Sequence, residues 1–339
     1  MPVEWATHLT FGGDVYAIFV TKHGPPEVLE LMDAPMPEPG PGQVRIKVAA
    51  TTVNFADIQQ RRGGYHLAAT VPFIPGLESA GTVDKVGPGV QGLEVGQRVA
   101  AHADGGSYAQ YGISRAVGVF PLPDSLDWET AACFPSVGTT SLNLLTLAGR
   151  MQPGDTVLIH AAAGGIGSTA VQLARVLGAA KIIGTVGSAE KAKLILDLGA
   201  DAAINYREED VVERVRALTN GAGADVVLDG VGADTFESSV ASLAPFGRLV
   251  AFGQSSGPPT PVGFGSIYGD NKAIIGYSTG GRKRTRPEEL RAPGLAVLKL
   301  LAQGRWKPVI GARFPLEQAA DAQRLVEDRG STGKVILTV

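Results

Sequence analysis

A glycine-rich turn, Ala161 to Gly167, has the residue types and spacing that bind phosphate groups. It follows an apolar run, Thr156 to Ile159, and precedes a helical pattern. Such a turn lets backbone N–H groups approach a pyrophosphate, and the helix N-terminus adds partial positive charge. Aligned on G-x-G-x-x-G, the positions fall on Ala162, Gly164 and Gly167, so the first glycine is an alanine. A turn that only packs helix on sheet is the alternative, but the strand–helix units around it favour dinucleotide binding.

The end of the next predicted strand, Lys181 to Val186, indicates which dinucleotide binds. NAD-binding units usually carry an acidic residue here that accepts a hydrogen bond from the ribose 2′-hydroxyl. This chain has Gly187 and Ser188 instead, followed by Lys191, so no carboxylate repels a 2′-phosphate. Ser188 can donate, Lys191 supplies charge, and Tyr206 can close the same pocket. We therefore predict NADPH as the cofactor; surface roles for Lys191 and Tyr206 are the alternative.

The chain from Asp155 onwards alternates strands and helices, which predicts a doubly wound parallel sheet. The predicted strands are 156–161, 181–186, 202–205, 225–229, 248–252 and 273–277. The predicted helices are 166–177, 189–198, 208–218 and 233–244. The fold class is therefore α/β in this half of the chain.

The flanking segments follow other patterns. Residues 16–121 show short apolar runs between turns, which predicts an all-β, barrel-like domain. Residues 126–147 are helical, with a break near 135–138. The tail predicts a helix at 287–303, a strand at 314–316, a helix to 328 and a strand at 334–338. We expect this tail to rejoin the first domain.

Composition excludes several classes of function. The chain has 339 residues, is 44% hydrophobic and carries a formal net charge of -3. This size suits two domains, and the charge gives no footprint for nucleic acid. No apolar run reaches about 18 residues, so no membrane span is expected, and the N-terminus does not have a signal-peptide pattern. A single cysteine, Cys133, rules out an internal disulfide, and we expect a cytoplasmic location.

Segments along the whole chain carry a family resemblance. They are HAAAGGIG, IGTVGSAEKA, INYREEDVVERV and FGQSSG in the second half, and KHGPPEVLEL, VNFADIQQRRGGY, PGLESAGTVDKVGPGV and GQRV in the first. Together they resemble the zinc-independent quinone oxidoreductases, the zeta-crystallin-like group of the medium-chain dehydrogenase/reductase superfamily. The resemblance implies a GroES-like β-rich catalytic domain at 1–138, a Rossmann NADPH-binding domain at 139–277 and a C-terminal return to the catalytic domain at 278–339.

The resemblance also implies roles for individual residues. Asn54 and Tyr65 border the nicotinamide and the substrate and are the catalytic candidates. The implied cofactor-binding residues are Asn54, Thr140, Ala163, Gly164, Gly165, Ile166, Gly167, Gly187, Ser188, Lys191, Tyr206, Phe252, Gly253, Ser255 and Arg329. Gln59 stands where some relatives carry tyrosine, which leaves the shape of the substrate pocket open.

The metal ligands of the related zinc alcohol dehydrogenases are missing. Asn54 and Leu77 occupy the positions of their cysteine and histidine ligands, and neither residue type suits catalytic zinc. The histidines do not pair at ligand spacing; they are His8, His23, His66, His102 and His160. We expect no metal, and we expect His160, at the end of a buried strand, to form hydrogen bonds there.

Hydride donation from NADPH without a Lewis acid needs an acceptor that is already electron-poor, such as a quinone or an activated enone. Tyr65 is the main candidate to donate a hydrogen bond to the acceptor oxygen, or it only packs against the substrate. Asn54 could donate similarly through its amide. Ser136 is a weaker candidate, and a helix-capping role is preferred for it. The predicted function is therefore an NADPH-dependent quinone reductase.

Other interpretations remain open. The same fold could reduce enoyl thioesters or other α,β-unsaturated carbonyl compounds, or the protein could bind NADPH with little turnover, as crystallin relatives do. The strand Ala273 to Tyr277 could pair edge to edge with a second copy, giving a homodimer. The basic cluster Arg282 to Arg286 is predicted to be a solvated loop, with gating of the active site as the alternative.

Overall fold

The computed structural model describes residues 15–65 and 69–339, which divide into two compact units. The first unit contains residues up to Ser136 together with Gly280–Ala302 and Ile310–Val339. The second contains Val137–Thr279 and Gln303–Val309. The N-terminal residues, with His8, and the histidine at 66 lie outside the described residues.

The first unit is built on strands that pair antiparallel, except for its last two strands, which pair with each other in parallel. They are β1 (Val15–Val20), β2 (Leu29–Ala34), β3 (Gln43–Val53), β4 (Glu78–Val86), β5 (Arg98–His102), β6 (Tyr111–Arg115), β7 (Val119–Pro121), β14 (Ile310–Pro315) and β15 (Lys334–Thr338). The larger sheet has the order β14-β15-β3-β4-β5-β7, with β6 also paired to β3. Strand β3 alternates buried Val44, Ile46 and Val48 with outward Arg45 and Lys47, as one face of a sheet requires. The C-terminal strands β14 and β15 thus join this sheet.

Helices complete the first unit. They are α1 (Phe55–Arg62), α2 (Trp128–Ala132), α9 (Thr279–Thr285, beginning at the last residue of the second unit), α10 (Arg291–Ala302) and α11 (Ala319–Glu327). The all-β prediction for this region was wrong at α1. That helix begins at Asn54, whose backbone N–H donates to Asp57 Oδ2 at 2.8 Å, and it ends at Gly63 with φ of 76°. A short polar helix of this kind leaves little periodic signal in the sequence.

The second unit contains a parallel sheet with helices. Its strands are β8 (Thr156–Ile159), β9 (Lys181–Val186), β10 (Ala202–Asn205), β11 (Ala224–Asp229), β12 (Leu243–Ala251) and β13 (Ala273–Gly276). Its helices are α3 (Thr139–Asn143), α4 (Gly165–Val176), α5 (Ala189–Asp197), α6 (Val211–Leu218), α7 (Phe236–Ala241) and α8 (Gly265–Tyr268). The order β10-β9-β8-β11-β12-β13 is the doubly wound arrangement, which confirms the predicted α/β fold.

The predicted helical break near residue 135 is a change of helix type. The chain continues from α2 through a π-helical turn, Phe134–Gly138, into α3 and then a second π-helical turn, Leu144–Ala148. Pro135 has no N–H to donate within this stretch, so a regular ladder cannot continue through it. None of the helices in the described parts of the chain is long and apolar enough to cross a bilayer.

The basic cluster near residue 282 forms a helix, so the prediction of a solvated loop was wrong. Arg282, Lys283 and Arg284 belong to α9. Lys283 turns inward, where its ammonium lies 3.2 Å from Asp104 Oδ1 and also donates to Ala103 O. The predicted helix at 287–303 is a 3-10 turn, Pro287–Leu290, followed by α10.

Candidate functional site

The glycine-rich turn joins the end of β8 to the start of α4. Ala161 adopts φ of 50°, and Gly164 N donates to its carbonyl at 2.9 Å. A Cβ on Gly167 would lie 2.4 Å from Ala161 O, so glycine alone fits there. Helix α4 has no side-chain hydrogen bond at its N-cap, so its first-turn amides, from Gly165 on, face outward as donors. The predicted residues Ala163 to Gly167 therefore lie at a helix start whose backbone donors are of the kind that can bind an anion.

The alanine that replaces the first glycine of the fingerprint has a structural explanation. Ala162 is fully buried, and a Cβ on Gly184 of β9 would lie 2.7 Å from the Ala162 Cβ. The same Cβ would lie 2.4 Å from Ile195 Cδ1 of α5. The methyl group of Ala162 thus occupies space that Gly184 leaves open, so the departure from the fingerprint is compensated across the sheet.

The ends of β9 and β10 bring the predicted 2′-phosphate residues together. A Cβ on Gly187 would lie 2.6 Å from the Tyr206 hydroxyl oxygen, so the glycine makes room for this tyrosine. Ser188 caps α5, and its Oγ accepts from Lys191 N at 3.3 Å. A Cβ on Gly187 would also lie 3.4 Å from Arg207 Nε. Arg207 directly follows Tyr206 and was not among the predicted site residues. This donor and cation set fits a phosphorylated ribose.

A buried polar network lies at the ends of β8, β9 and β11. Asp229, 1% exposed, accepts from the backbone N–H of Val231 at 2.8 Å and from Ser239 Oγ at 2.7 Å. Because the Ser239 hydrogen goes to Asp229, the 3.0 Å contact from His160 Nε2 to Ser239 Oγ requires Nε2 to donate. Thr185 Oγ1 then donates to Nδ1 at 3.1 Å. The predicted hydrogen bonding of His160 is confirmed, and burial lowers the pKa of its imidazole.

The remaining predicted cofactor residues of the second unit lie near other strand ends. Ser255 N donates to Gly230 O at 3.2 Å, and a Cβ on Gly253 would lie 2.7 Å from the same oxygen. The Phe252 ring packs against Gly230, because a Cβ on Gly230 would lie 2.7 Å from two carbons of that ring. Thr140 Oγ1 lies 2.6 Å from Thr279 Oγ1, so the two hydroxyls share a hydrogen bond. Arg329 belongs to the first unit and has φ of 58°.

Asn54 of the first unit belongs to a buried charged cluster. Its central residue, Glu78, is fully buried at the start of β4. The Glu78 carboxylate accepts from Thr52 Oγ1 at 2.6 Å, Ser136 N at 2.7 Å, Asn54 Nδ2 at 3.1 Å and Lys334 Nζ at 3.1 Å. Burial acts to raise the pKa of Glu78, but Lys334 and these donors outweigh it and hold the pKa below its ordinary value. Ser136 thus contributes its backbone N–H.

Helix α1 connects Asn54 to Tyr65 and is anchored by Arg61. The Arg61 guanidinium, 0% exposed, donates to Gln323 Oε1 at 2.8 Å and to Glu327 Oε2 at 2.6 Å, both on α11. Tyr65 follows the C-terminal end of α1 and is half-buried; burial raises the pKa of its phenol, and the Asp57 charge adds to the shift. Gln59 lies on the same helix.

Asp57 of α1 is a buried titratable group that the sequence analysis did not identify. Its Oδ2 accepts from Asn54 N and, at 3.2 Å, from the Tyr108 hydroxyl. Its Oδ1 has no hydrogen-bond partner in the described part of the chain. Burial raises the pKa of Asp57 to about 7, against the lowering effect of the Asn54 N–H. Burial, and not a sequence motif, gives this carboxyl its raised pKa.

Across residues 15–65 and 69–339, no group of three or more His, Cys, Asp or Glu side chains is placed to hold a metal ion.

Two family models match the chain. The alcohol dehydrogenase GroES-like domain matches residues 40–124, and the zinc-binding dehydrogenase model matches residues 165–292. The first match confirms the predicted GroES-like domain.

Known proteins resemble the chain along nearly its whole length. A quinone oxidoreductase of Pseudomonas aeruginosa is 40% identical over 93% of this chain and 97% of its own. A 2-haloacrylate reductase of a Burkholderia species is 34% identical over 95% and 98%. The crystal structure of Escherichia coli quinone oxidoreductase complexed with NADPH superposes with a TM-score of 0.88 at 36% identity, covering 96% of this chain and all of that one. This chain belongs to the quinone oxidoreductase family of the medium-chain dehydrogenase/reductase superfamily.

Proposed function

We propose that this protein transfers hydride from NADPH to a quinone. When bound, NADPH supplies the hydride. The observation that carries the proposal is the pocket at the ends of β9 and β10, where Gly187 admits the Tyr206 ring and Ser188 and Lys191 add a hydroxyl donor and a cation. An acidic side chain at this place would select NADH, and here the position is Gly187. The glycine turn before α4 binds the pyrophosphate.

A quinone is the acceptor that the relatives favour, since the similar proteins of Pseudomonas aeruginosa and Escherichia coli are named quinone oxidoreductases. A quinone is electron-poor before it binds, so the residues contribute mainly orientation. Tyr65 donates a hydrogen bond to the oxygen on which negative charge develops. Its raised pKa keeps the phenol protonated, and therefore able to donate, across the neutral range.

A second acceptor class is favoured by one relative. The 2-haloacrylate reductase of a Burkholderia species acts, by its name, on an activated carbon–carbon double bond, and it aligns with 95% of this chain. An activated enone or acrylate accepts hydride for the same electronic reason as a quinone. The two functions therefore require the same cofactor pocket and differ only in the shape of the substrate pocket.

The test is an acceptor screen that follows NADPH absorbance with a benzoquinone, a naphthoquinone, a 2-haloacrylate and an enoyl-CoA. We expect the largest kcat/KM with a quinone, and a larger kcat/KM with NADPH than with NADH. A faster reaction with NADH at matched concentrations would refute the cofactor assignment. Tight NADPH binding without turnover on any acceptor would instead support a binding protein.

We also propose a homodimer that forms through β13. This strand is the last of its sheet, and in the described chain no strand pairs with its outer side. Phe264 and Tyr268, which precede this strand in the chain, are 75% and 69% exposed, and their rings stack at 5.3 Å. An unpaired strand edge and exposed aromatic rings in one unit are both features that a second copy could cover by two-fold pairing. The cytoplasm is the proposed location, because the lone Cys133 is a buried thiol.

Light scattering coupled to size exclusion tests the dimer. We expect a dimer for the unaltered protein and a monomer for Tyr268→Glu, because a carboxylate would be buried against the partner copy. Leu147→Glu is the matched control, since Leu147 is also an exposed apolar residue of the second unit. A monomeric unaltered protein, or a dimer that Tyr268→Glu leaves intact, would contradict the proposal.

A further inference from the structure

A small cavity of the first unit lies between the returning segment 280–302 and the ends of two strands. Lys283 of α9 lines one side of it. The other side is lined by His102 at the end of β5, by Asp104, and by Arg115 at the end of β6. The cavity has a volume of about 10 Å³ for a water-sized sphere, which is room for one small occupant. All four side chains belong to the first unit, so the cavity lies within that unit.

The Asp104 carboxylate is fully used by two neighbouring cations. Its Oδ2 accepts from the backbone N–H of Arg115 at 2.6 Å and from Arg115 Nε at 3.3 Å. Its Oδ1 accepts from Arg115 Nη2 at 3.3 Å and lies 3.2 Å from Lys283 Nζ. Burial acts to raise the pKa of Asp104, but Lys283 and Arg115 outweigh it and hold the pKa below its ordinary value. Because a carboxylate has about four acceptor positions, these contacts leave it none for an occupant of the cavity.

Donors and positive charge remain on the cavity wall. Lys283 Nζ donates to Ala103 O and contacts Asp104, so one of its three hydrogens is left. The bonds of the Arg115 guanidinium within the described residues come from Nε and Nη2, which leaves the two hydrogens of Nη1. Two cations against one carboxylate also leave one unbalanced positive charge. A water molecule would need acceptors for its own hydrogens, whereas an anion needs only these donors.

His102 adds a buried polar group without a partner. It is 3% exposed, and its Nε2 has no hydrogen-bond partner in the parts of the chain that the structure describes. Burial and the Lys283 charge lower the pKa of His102 to about 4, so the neutral ring carries one N–H at pH 7. A Cβ on Gly118, which also lines the cavity, would lie 3.7 Å from His102 Cδ2, the carbon bonded to Nε2. The Nε2 edge of the ring therefore borders the cavity.

We propose that this cavity binds a monatomic anion, chloride, between Lys283, Arg115 and the His102 N–H. Chloride is only slightly larger than water, balances the unbalanced charge, and accepts hydrogen bonds without donating any. Its ligands come from the strands and from segment 280–302, so the bound ion fastens the returning segment to the sheet. An ion that binds only the folded state raises stability as its concentration rises. None of these residues is among the proposed cofactor or substrate residues.

Thermal unfolding in sodium chloride and in sodium gluconate at equal ionic strength tests the site. Gluconate is too large for the cavity but screens surface charges to the same extent. We expect Tm to be about 2–4 °C higher in chloride, with a gain that saturates as chloride increases. Crystals soaked in bromide should show an anomalous scattering peak between Lys283 and Arg115. Equal Tm values in the two salts, or a water molecule in place of the bromide peak, would overturn the proposal.

A variant that narrows the cavity links the salt effect to this site. The new Cβ of Gly118→Ala would lie 3.5 Å from His102 Cβ and 3.7 Å from Cδ2, which is ordinary contact, so the fold should be kept. We expect this variant to lose the gain of Tm in chloride and to match the unaltered protein in gluconate. Gly105→Ala is the control, because a Cβ there meets nothing within 4 Å, and it should keep the gain.

Arg115→Met tests the charge of the site independently of its size. The substitution removes the unbalanced positive charge and the Nη1 donors, while Lys283 still pairs with Asp104. We expect a lower Tm in both salts and no difference between them. A gain in chloride that persists in both Gly118→Ala and Arg115→Met would show that the ion binds elsewhere and would overturn the proposal.

Discussion

The glycine turn of the second unit and the Asn54 cluster of the first are candidate binding sites that are built in opposite ways. The turn presents backbone N–H groups from one short continuous stretch, and its geometry depends on side chains that are absent, as at Gly167. The cluster presents one side chain, which is held by residues that come from distant parts of the chain, such as Glu78 and Lys334. We therefore expect the glycine turn to lose its geometry when a side-chain atom is added, and the Asn54 cluster to lose its geometry when one of its charged groups is removed.

The largest expected effect on binding is at Gly167, in the glycine turn. Gly167→Ala should abolish NADPH binding and lower stability by about 1–3 kcal/mol, because the new Cβ meets rigid backbone at Ala161 O and Ala162. Fluorescence titration and thermal unfolding measure the two effects. Gly263→Ala is the control, since a Cβ there meets nothing within 4 Å. An alanine variant that binds normally would show that the turn has room to adjust.

At the proposed 2′-phosphate pocket, Lys191→Ala should raise the KM for NADPH about tenfold to a hundredfold and change kcat little. A charge-assisted hydrogen bond is worth about 1.5–3 kcal/mol, and uniform binding affects KM alone. Steady-state kinetics with NADPH and NADH measure the change. Lys193→Ala is the control, because Lys193 pairs with Asp197 on the exposed side of the same helix. An unchanged KM would remove Lys191 from the pocket.

Tyr65→Phe tests whether the phenol acts chemically or only packs. We expect kcat to fall about tenfold, the value of one hydrogen bond to developing charge, with the KM for NADPH unchanged. Tyr111→Phe, a half-buried tyrosine of the same unit, is the control. Full activity of the Tyr65 variant would show that the ring only packs, and Asn54 would then be the remaining candidate donor to the acceptor oxygen.

Asp57 gives the smallest expected effect on binding and turnover, because its substitution acts on the pH dependence of stability. The folded carboxyl keeps its proton up to about pH 7, whereas the ordinary value is 3.8, so the folded state binds the extra proton between these pH values. Stability from this group is therefore present at the acid end and is lost as pH rises through that window. Asp57→Asn should flatten this decline of Tm between pH 4 and 8. The exposed Asp124→Asn should leave the slope unchanged, and an equal slope in both variants would contradict the assignment.

The sequence patterns predicted more of the structure of the second unit than of the first. The alternation from residue 155 onwards predicted the parallel sheet, because its central strands are short apolar runs that are buried, as in Val226 to Leu228. Most of the proposed 2′-phosphate pocket was also predicted, because Gly187, Ser188 and Lys191 are close neighbours in sequence. Ala162 was read only as a departure, because its partner Gly184 lies on another strand.

The first unit was predicted less completely because its contacts are long-range. Helix α1 was missed, since its polar residues carry little periodicity and its buried Arg61 is held by α11 near the other end of the chain. Leu77 was named at the position of a missing metal ligand but its neighbour Glu78 was not, and residue 334 was predicted only as the start of a strand. The inward position of Lys283 required Asp104 to be known as its partner.

The path of the chain has a practical consequence for dissecting the protein. The backbone passes from one unit to the other after Ser136, Thr279, Ala302 and Val309. The fully buried Trp306 therefore belongs to the second unit, although β14, which follows it, belongs to the first. Any single cut in the gene leaves at least one unit incomplete, so the fragment that carries an incomplete unit should misfold. Proteolytic nicking of an exposed loop should instead leave a complex of two pieces that stays assembled.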